Sequence, residues 1–195
     1  MTNNTTLAML DQPELQQLAI NASTAGDSAS AIAYLKEAVS RADATAIAHY
    51  LLGAEYAQIQ MYPRAIGEME AAIALDPALS IARLQLGLLW LGANDNARAA
   101  DVLQPLTELA DTQALHHFGA GLLHLIREEK AEAVCSLNAG VALNTAIPPL
   151  NLDMQKIVQQ LEQDLPAAND APQAAPAATD DGQHILLSAY TGLRH

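Results

Sequence analysis

The stretch from Ala46 to Leu79, AIAHYLLGAEYAQIQMYPRAIGEMEAAIALDPAL, decides how the rest of the chain is read. It is the second of four 34-residue units that follow one another without a gap, beginning at Gln12, Ala46, Ser80 and Ala114. Recurrence at that period is the mark of stacked supersecondary units. The eighth positions read Ala19, Gly53, Gly87 and Gly121, and the twentieth read Ala31, Ala65, Ala99 and Ala133. Bulky residues recur at the seventh positions, Leu18, Leu52 and Leu86, where only the fourth unit has a small Ala120, and at the twenty-fourth, Leu35, Met69, Leu103 and Leu137. Two apolar helical stripes flank a polar interruption such as Ala25-Gly26-Asp27 or Asn94-Asp95-Asn96, so each unit reads as helix, turn, helix. A glycine inside a helix costs about 1 kcal/mol relative to alanine. Gly53, Gly87 and Gly121 therefore call for close approach of the paired helix, with the alanine at position twenty expected to face them. Neither helix of a unit can bury its stripe without the next unit.

Leu52-Gly53, Tyr56, Tyr62, Ala65, Ala72 and the closing Asp76-Pro77 make this stretch resemble the tetratricopeptide repeat closely. In the first unit Gly26 keeps the turn between helices, in the third Trp90 stands where the motif has tyrosine, and Asp111 and Thr145 occupy the proline position of the last two. The resemblance covers residues 12–147. It implies an all-α, right-handed helical solenoid of four repeats, 12–45, 46–79, 80–113 and 114–147, acting as a non-catalytic protein-interaction adaptor.

Past Pro148-Pro149, a stripe of Leu150, Met154, Ile157, Val158, Leu161 and Leu165 predicts a capping helix over 148–165. Its other face, Asp153, Gln155, Lys156, Gln159, Gln160, Glu162 and Gln163, would turn a polar surface to water, as the end of a solenoid requires. Residues 166–181 are mostly Ala, Pro, Asp and Asn and read as a linker. Residues 182–195 return to apolar composition, and residues 1–11 read as a flexible N-terminus.

A balance of 9 Lys+Arg against 22 Asp+Glu gives a formal charge of −13, which repels phosphate backbones and excludes nucleic acid as a partner class. No apolar run is long enough for a membrane span, and the polar start lacks a signal-peptide pattern, so a cytoplasmic location is expected. Cys135 is the single cysteine and reads as a small buried side chain. His49, His117 and His124 fall at repeat positions that the family fills with packing residues, and are read as structural although His117, His124 and Glu128 could share a helix face. Glu128-Glu129 and Asp180-Asp181 read as solvated charge. No phosphate loop, nucleophile elbow or paired His-Glu zinc motif occurs, so no catalytic residue, cofactor or metal is assigned.

At 100° per residue, positions 2, 5, 9, 12 and 13 lie opposite the packing stripe of each first helix, on the face that the resemblance assigns to a concave groove. They are apolar as well. Ile47, Tyr50 and the adjacent Leu51 come from the second unit, Ile81, Leu84, Leu88 and Leu91 from the third, and Leu115, Phe118, Leu122, Leu125 and Ile126 from the fourth. A helix apolar all round is either buried or covered by a partner, and a protein or peptide with an apolar segment is the expected occupant. Gln16, Ile20, Leu51, Ile81 and Gln85 stand where some relatives clamp a carboxylate, which disfavours an acidic tail as that partner. The chain's own tail offers Ile185, Leu186, Leu187, Tyr190 and Leu193, tethered closely enough to dock in cis or to join protomers as a homo-oligomer. A cytoplasmic chaperone for a secreted protein and a regulatory subunit or small-ligand sensor are the alternative readings.

Overall fold

The computed structural model describes residues 7–164. The helices are α1 (Gln12–Thr24), α2 (Ser28–Val39), α3 (Ala46–Gln58), α4 (Tyr62–Leu75), α5 (Ser80–Gly92), α6 (Asn96–Leu103), α7 (Ala114–Ile126), α8 (Lys130–Leu143) and α9 (Pro148–Asp164), with a 3₁₀ turn at Gln104–Glu108. They pair in order: α1 with α2, α3 with α4, α5 with α6, α7 with α8. The second helix of each pair packs on the first helix of the next, and α9 closes the stack against α8. The result is an all-α solenoid.

Local chemistry sets where the helices begin. Asp11 accepts from the Glu14 amide at 2.8 Å while Glu14 Oε2 accepts from the Asp11 amide at 2.9 Å, a reciprocal cap at the head of α1. Asp27, Thr45 and Asp95 cap α2, α3 and α6 in the same way from one side. The turn inside each pair is built on one recurring position. Gly26, Gln60, Asn94 and Glu128 are all left-handed, with φ between 61° and 76°, and each is the fifteenth residue of its unit. Only the first is a glycine, so the other three accept backbone strain for the sake of the turn. The second and third pairs also share a clasp, Arg64 over the Tyr56 ring at 5.7 Å and Arg98 over Trp90 at 4.6 Å.

Pro105 produces a departure from regularity that the repeat pattern did not signal. With no amide hydrogen and a ring that crowds the preceding turn, it ends α6 at Leu103 and leaves the 3₁₀ turn to finish the unit. Leu106 from that turn is fully buried and lies where a Cβ on Gly119 of α7 would come within 2.6 Å of its own Cβ.

The small eighth positions do mark close helix approach, but the facing group is not the expected alanine. A Cβ on Gly87 would lie 2.5 Å from Leu103 Cδ2, and one on Gly121 would lie 2.7 Å from Leu137 Cδ2. At Gly53 the neighbours are Met69 Cε at 3.1 Å and the Ala65 carbonyl at 3.2 Å. The bulky twenty-fourth residue thus drops into the notch left by the eighth. The alanine at position twenty lets the backbones approach and is itself buried in every pair.

Leu150, Met154, Val158 and Leu161 of α9 are buried, whereas Gln155, Lys156, Gln159, Gln160, Glu162 and Gln163 are exposed. Asp153 departs from that polar face. It is half-buried, and burial raises its carboxyl above the usual range while Lys156 draws it partly back. Entry into α9 is fixed by buried Asn144, which donates to the Ile147 carbonyl and to Asn151 Oδ1, both at 2.8 Å, and accepts from the Ile147 amide at 3.2 Å. Asn144→Ala should therefore cost about 1 to 3 kcal/mol in urea unfolding, the cost of leaving buried polar groups unpaired. A variant as stable as the parent would show that this junction does not hold the cap.

Candidate interaction surface

The twelve apolar residues assigned to the groove separate into two sets. Tyr50, Leu84, Phe118 and Leu122 are fully buried, and Leu51 and Ile81 nearly so. They are part of the continuous core, so these six of the residues assigned to the groove are buried within the solenoid rather than open along it. The physical reason is visible at Phe118. The helix paired with it carries Gly140, and the ring fills that gap, lying 2.5 Å from where a Cβ would stand. Phe118 is thus turned inward against the second helix of its own pair rather than outward.

Ile47, Leu88, Leu91, Leu115, Leu125 and Ile126 remain partly exposed, packed against the core on one side only. They lie on α3, α5 and α7, the first helices of successive pairs. Neither α5 nor α7 carries an acidic residue, although the chain has 22. An apolar strip flanked by so little negative charge suits a greasy ligand rather than a polar one. Gln16, one of the clamp positions, is engaged instead in the stack, where its Nε2 donates to Thr45 Oγ1 at 2.8 Å. The tail residues Ile185, Leu186, Leu187, Tyr190 and Leu193 lie outside the described residues.

The other candidate residues do not converge. His124 Nδ1 contacts Glu129 Oε2 at 2.6 Å, and His117 Nε2 donates to the Asp111 carbonyl at 2.7 Å. His49 Nδ1 meets Glu68 Oε2 at 2.7 Å, joining α3 to α4. Glu128 is exposed at its turn. Among the described residues, no group of three or more histidine, cysteine or acidic side chains could hold a metal. Cys135 corrects the reading that buried it: it is exposed, because α8 turns Ala133, Leu137 and Gly140 inward and Cys135 away from them. Sequence reasoning passed over Glu55, which is fully buried on α3. The signal was a lone carboxylate inside the otherwise apolar run 51–57.

Neither a protein-family model nor a curated protein sequence matches the chain. Solved structures do. TTC0263, a thermophilic tetratricopeptide-repeat protein of Thermus thermophilus, is 16% identical with a TM-score of 0.63, over 80% of this chain and 83% of that one. MamA from Desulfovibrio magneticus RS-1 is 18% identical with a TM-score of 0.57, over 82% of this chain and 99% of that one. YrrB, a tetratricopeptide-repeat protein with an unusual peptide-binding site, is 19% identical with a TM-score of 0.57, over 80% and 88%. The fold is the tetratricopeptide-repeat solenoid. Among the described residues, no helix is long and apolar enough to cross a membrane.

Proposed function

We propose that the chain is a non-catalytic adaptor that holds an apolar or amphipathic polypeptide segment against the first helices of its repeats. The observation that carries this is the partly open strip of Leu88, Leu91, Leu115, Leu125 and Ile126 on α5 and α7, two helices without a carboxylate in an acidic chain. Exposed apolar side chains gathered on successive helices mark interaction sites more often than isolated ones do. The peptide-binding site of YrrB, on a similar fold, supports a polypeptide occupant. The chain's own residues 182–195 are the first candidate, acting in competition with outside partners, because tethering gives even a weak contact a millimolar effective concentration.

A labelled peptide of residues 183–195, titrated into the chain ending at Asp181, tests this by fluorescence anisotropy. Saturable binding is expected. Leu88→Glu combined with Leu125→Glu should weaken it at least about tenfold, equivalent to about 1.4 kcal/mol, while helical circular dichroism is retained. Equal affinity in the folded double variant would remove this surface from the proposal, and absence of binding by the parent would remove the tail as its occupant.

A further inference from the structure

Glu55 lies in the seam between the first two helix pairs. Its side chain is fully buried, and among the described residues neither carboxylate oxygen has a hydrogen-bond partner. Ala19, Ile20, Leu35 and Leu51 wall the crevice that it lines, which is too narrow to admit a water molecule. A carboxylate in such a place loses more solvation than its surroundings return, so the neutral acid is the form that fits.

Burial pushes the Glu55 carboxyl above its usual range. The hydroxyls of Ser23, near the end of α1, and Ser28, at the start of α2, pull it partly back without closing a hydrogen bond. α2 and α4 pack on α3, and α1 lines the crevice through Ala19 and Ile20. The titratable side chains on these helices are Glu14 of α1, Tyr34, Lys36 and Glu37 of α2, and Tyr62, Arg64, Glu68 and Glu70 of α4, and none of them is among the groups that move Glu55. Its protonation is therefore governed by the seam itself.

We propose that Glu55 is a proton-operated latch on this seam: uncharged, it lets α1 and α2 close on α3; ionised, it parts them and frees the first helix pair from the stack. The location suits the role. Among the described residues the first helix pair joins the rest of the stack where α2 packs on α3, so weakening that seam loosens the pair without unfolding the later ones. Opening would also expose Ile20 and Leu51, extending the apolar strip of α5 and α7 toward the N-terminal end.

The direction with pH follows from linkage. The closed seam binds the proton more tightly than the open one, so the closed form is fully favoured below the ordinary carboxyl range. That advantage is lost as pH rises to Glu55's own raised value. Between those limits the open fraction grows up to about tenfold per pH unit, and beyond them it levels off.

Hydrogen exchange of the full chain across a pH series, corrected for intrinsic exchange rates, tests the latch. Residues 12–39 should lose protection as pH rises while α7 and α8 keep theirs. Glu55→Gln, which has the same shape and does not titrate, should abolish that dependence. Carboxyl carbon NMR on the unaltered chain gives a second readout that needs no variant, with Glu55 expected to titrate above the other glutamates. Protection independent of pH in the parent, the same dependence in the variant, or a Glu55 carboxyl titrating in the ordinary range would each overturn the proposal.

Discussion

Leu122→Glu should destabilise the solenoid by about 3 to 5 kcal/mol, the cost of an uncompensated buried charge, whereas Leu125→Glu, one turn along the same helix, should cost less than about 1 kcal/mol. On sequence the two leucines are equivalent, both on the face of α7 opposite the packing stripe. In the structure Leu122 is 0% exposed and belongs to the core, while Leu125 keeps one side open. Domains are stable by only about 5 to 15 kcal/mol in total, so the first substitution removes much of that margin and the second little. Urea unfolding followed by circular dichroism separates the two outcomes. Equal stability of the variants would mean that Leu122 lines an accessible surface.

Gly87→Leu should cost about 3 kcal/mol, at the upper end of the usual range for overpacking. The Cβ alone would lie 2.5 Å from Leu103 Cδ2 and 2.6 Å from Cγ, before the rest of the new side chain is placed. Leu103 is fully buried at the end of α6, and the 3₁₀ turn that follows it limits how far the helix can retreat. Gly67 provides the control. It sits within α4 with nothing within 4 Å of where a Cβ would stand, so Gly67→Ala should stabilise by about 0.5 to 1 kcal/mol through the loss of glycine's backbone freedom alone. If thermal unfolding placed both variants at the parent's midpoint, the notch packing inferred for α5 and α6 would be wrong.

The repeat was legible because a solenoid writes its packing rules into the chain at a fixed spacing. Small eighth residues, alanine at position twenty and a bulky residue at position twenty-four recur because every pair of helices solves the same steric problem. What could not be read was the partner chosen at each contact. Gly87 meets Leu103 rather than Ala99, since a helix crossing angle decides which side chain enters a notch. The groove was half legible for a related reason. Helical periodicity divides a helix into two faces, whereas in a stack a first helix can meet neighbouring pairs as well as its own partner, as α5 meets α4 and α7 besides α6, leaving a narrower open arc. Phe118 could be assigned to the inside only by knowing that Gly140 opposes it. Cys135 erred the other way, because an average preference for burial carries little weight against its place on the outer side of α8.

The central claim is that α5 and α7 present the binding surface. Hydrogen exchange of the chain ending at Asp181, with and without a saturating peptide of residues 183–195, tests it most directly. Slowed exchange in Ser80–Gly92 and Ala114–Ile126, with no change in Tyr62–Leu75, is the result expected; slowing confined to the second helices of the pairs, or none in α5 and α7 while the peptide is bound, would contradict it.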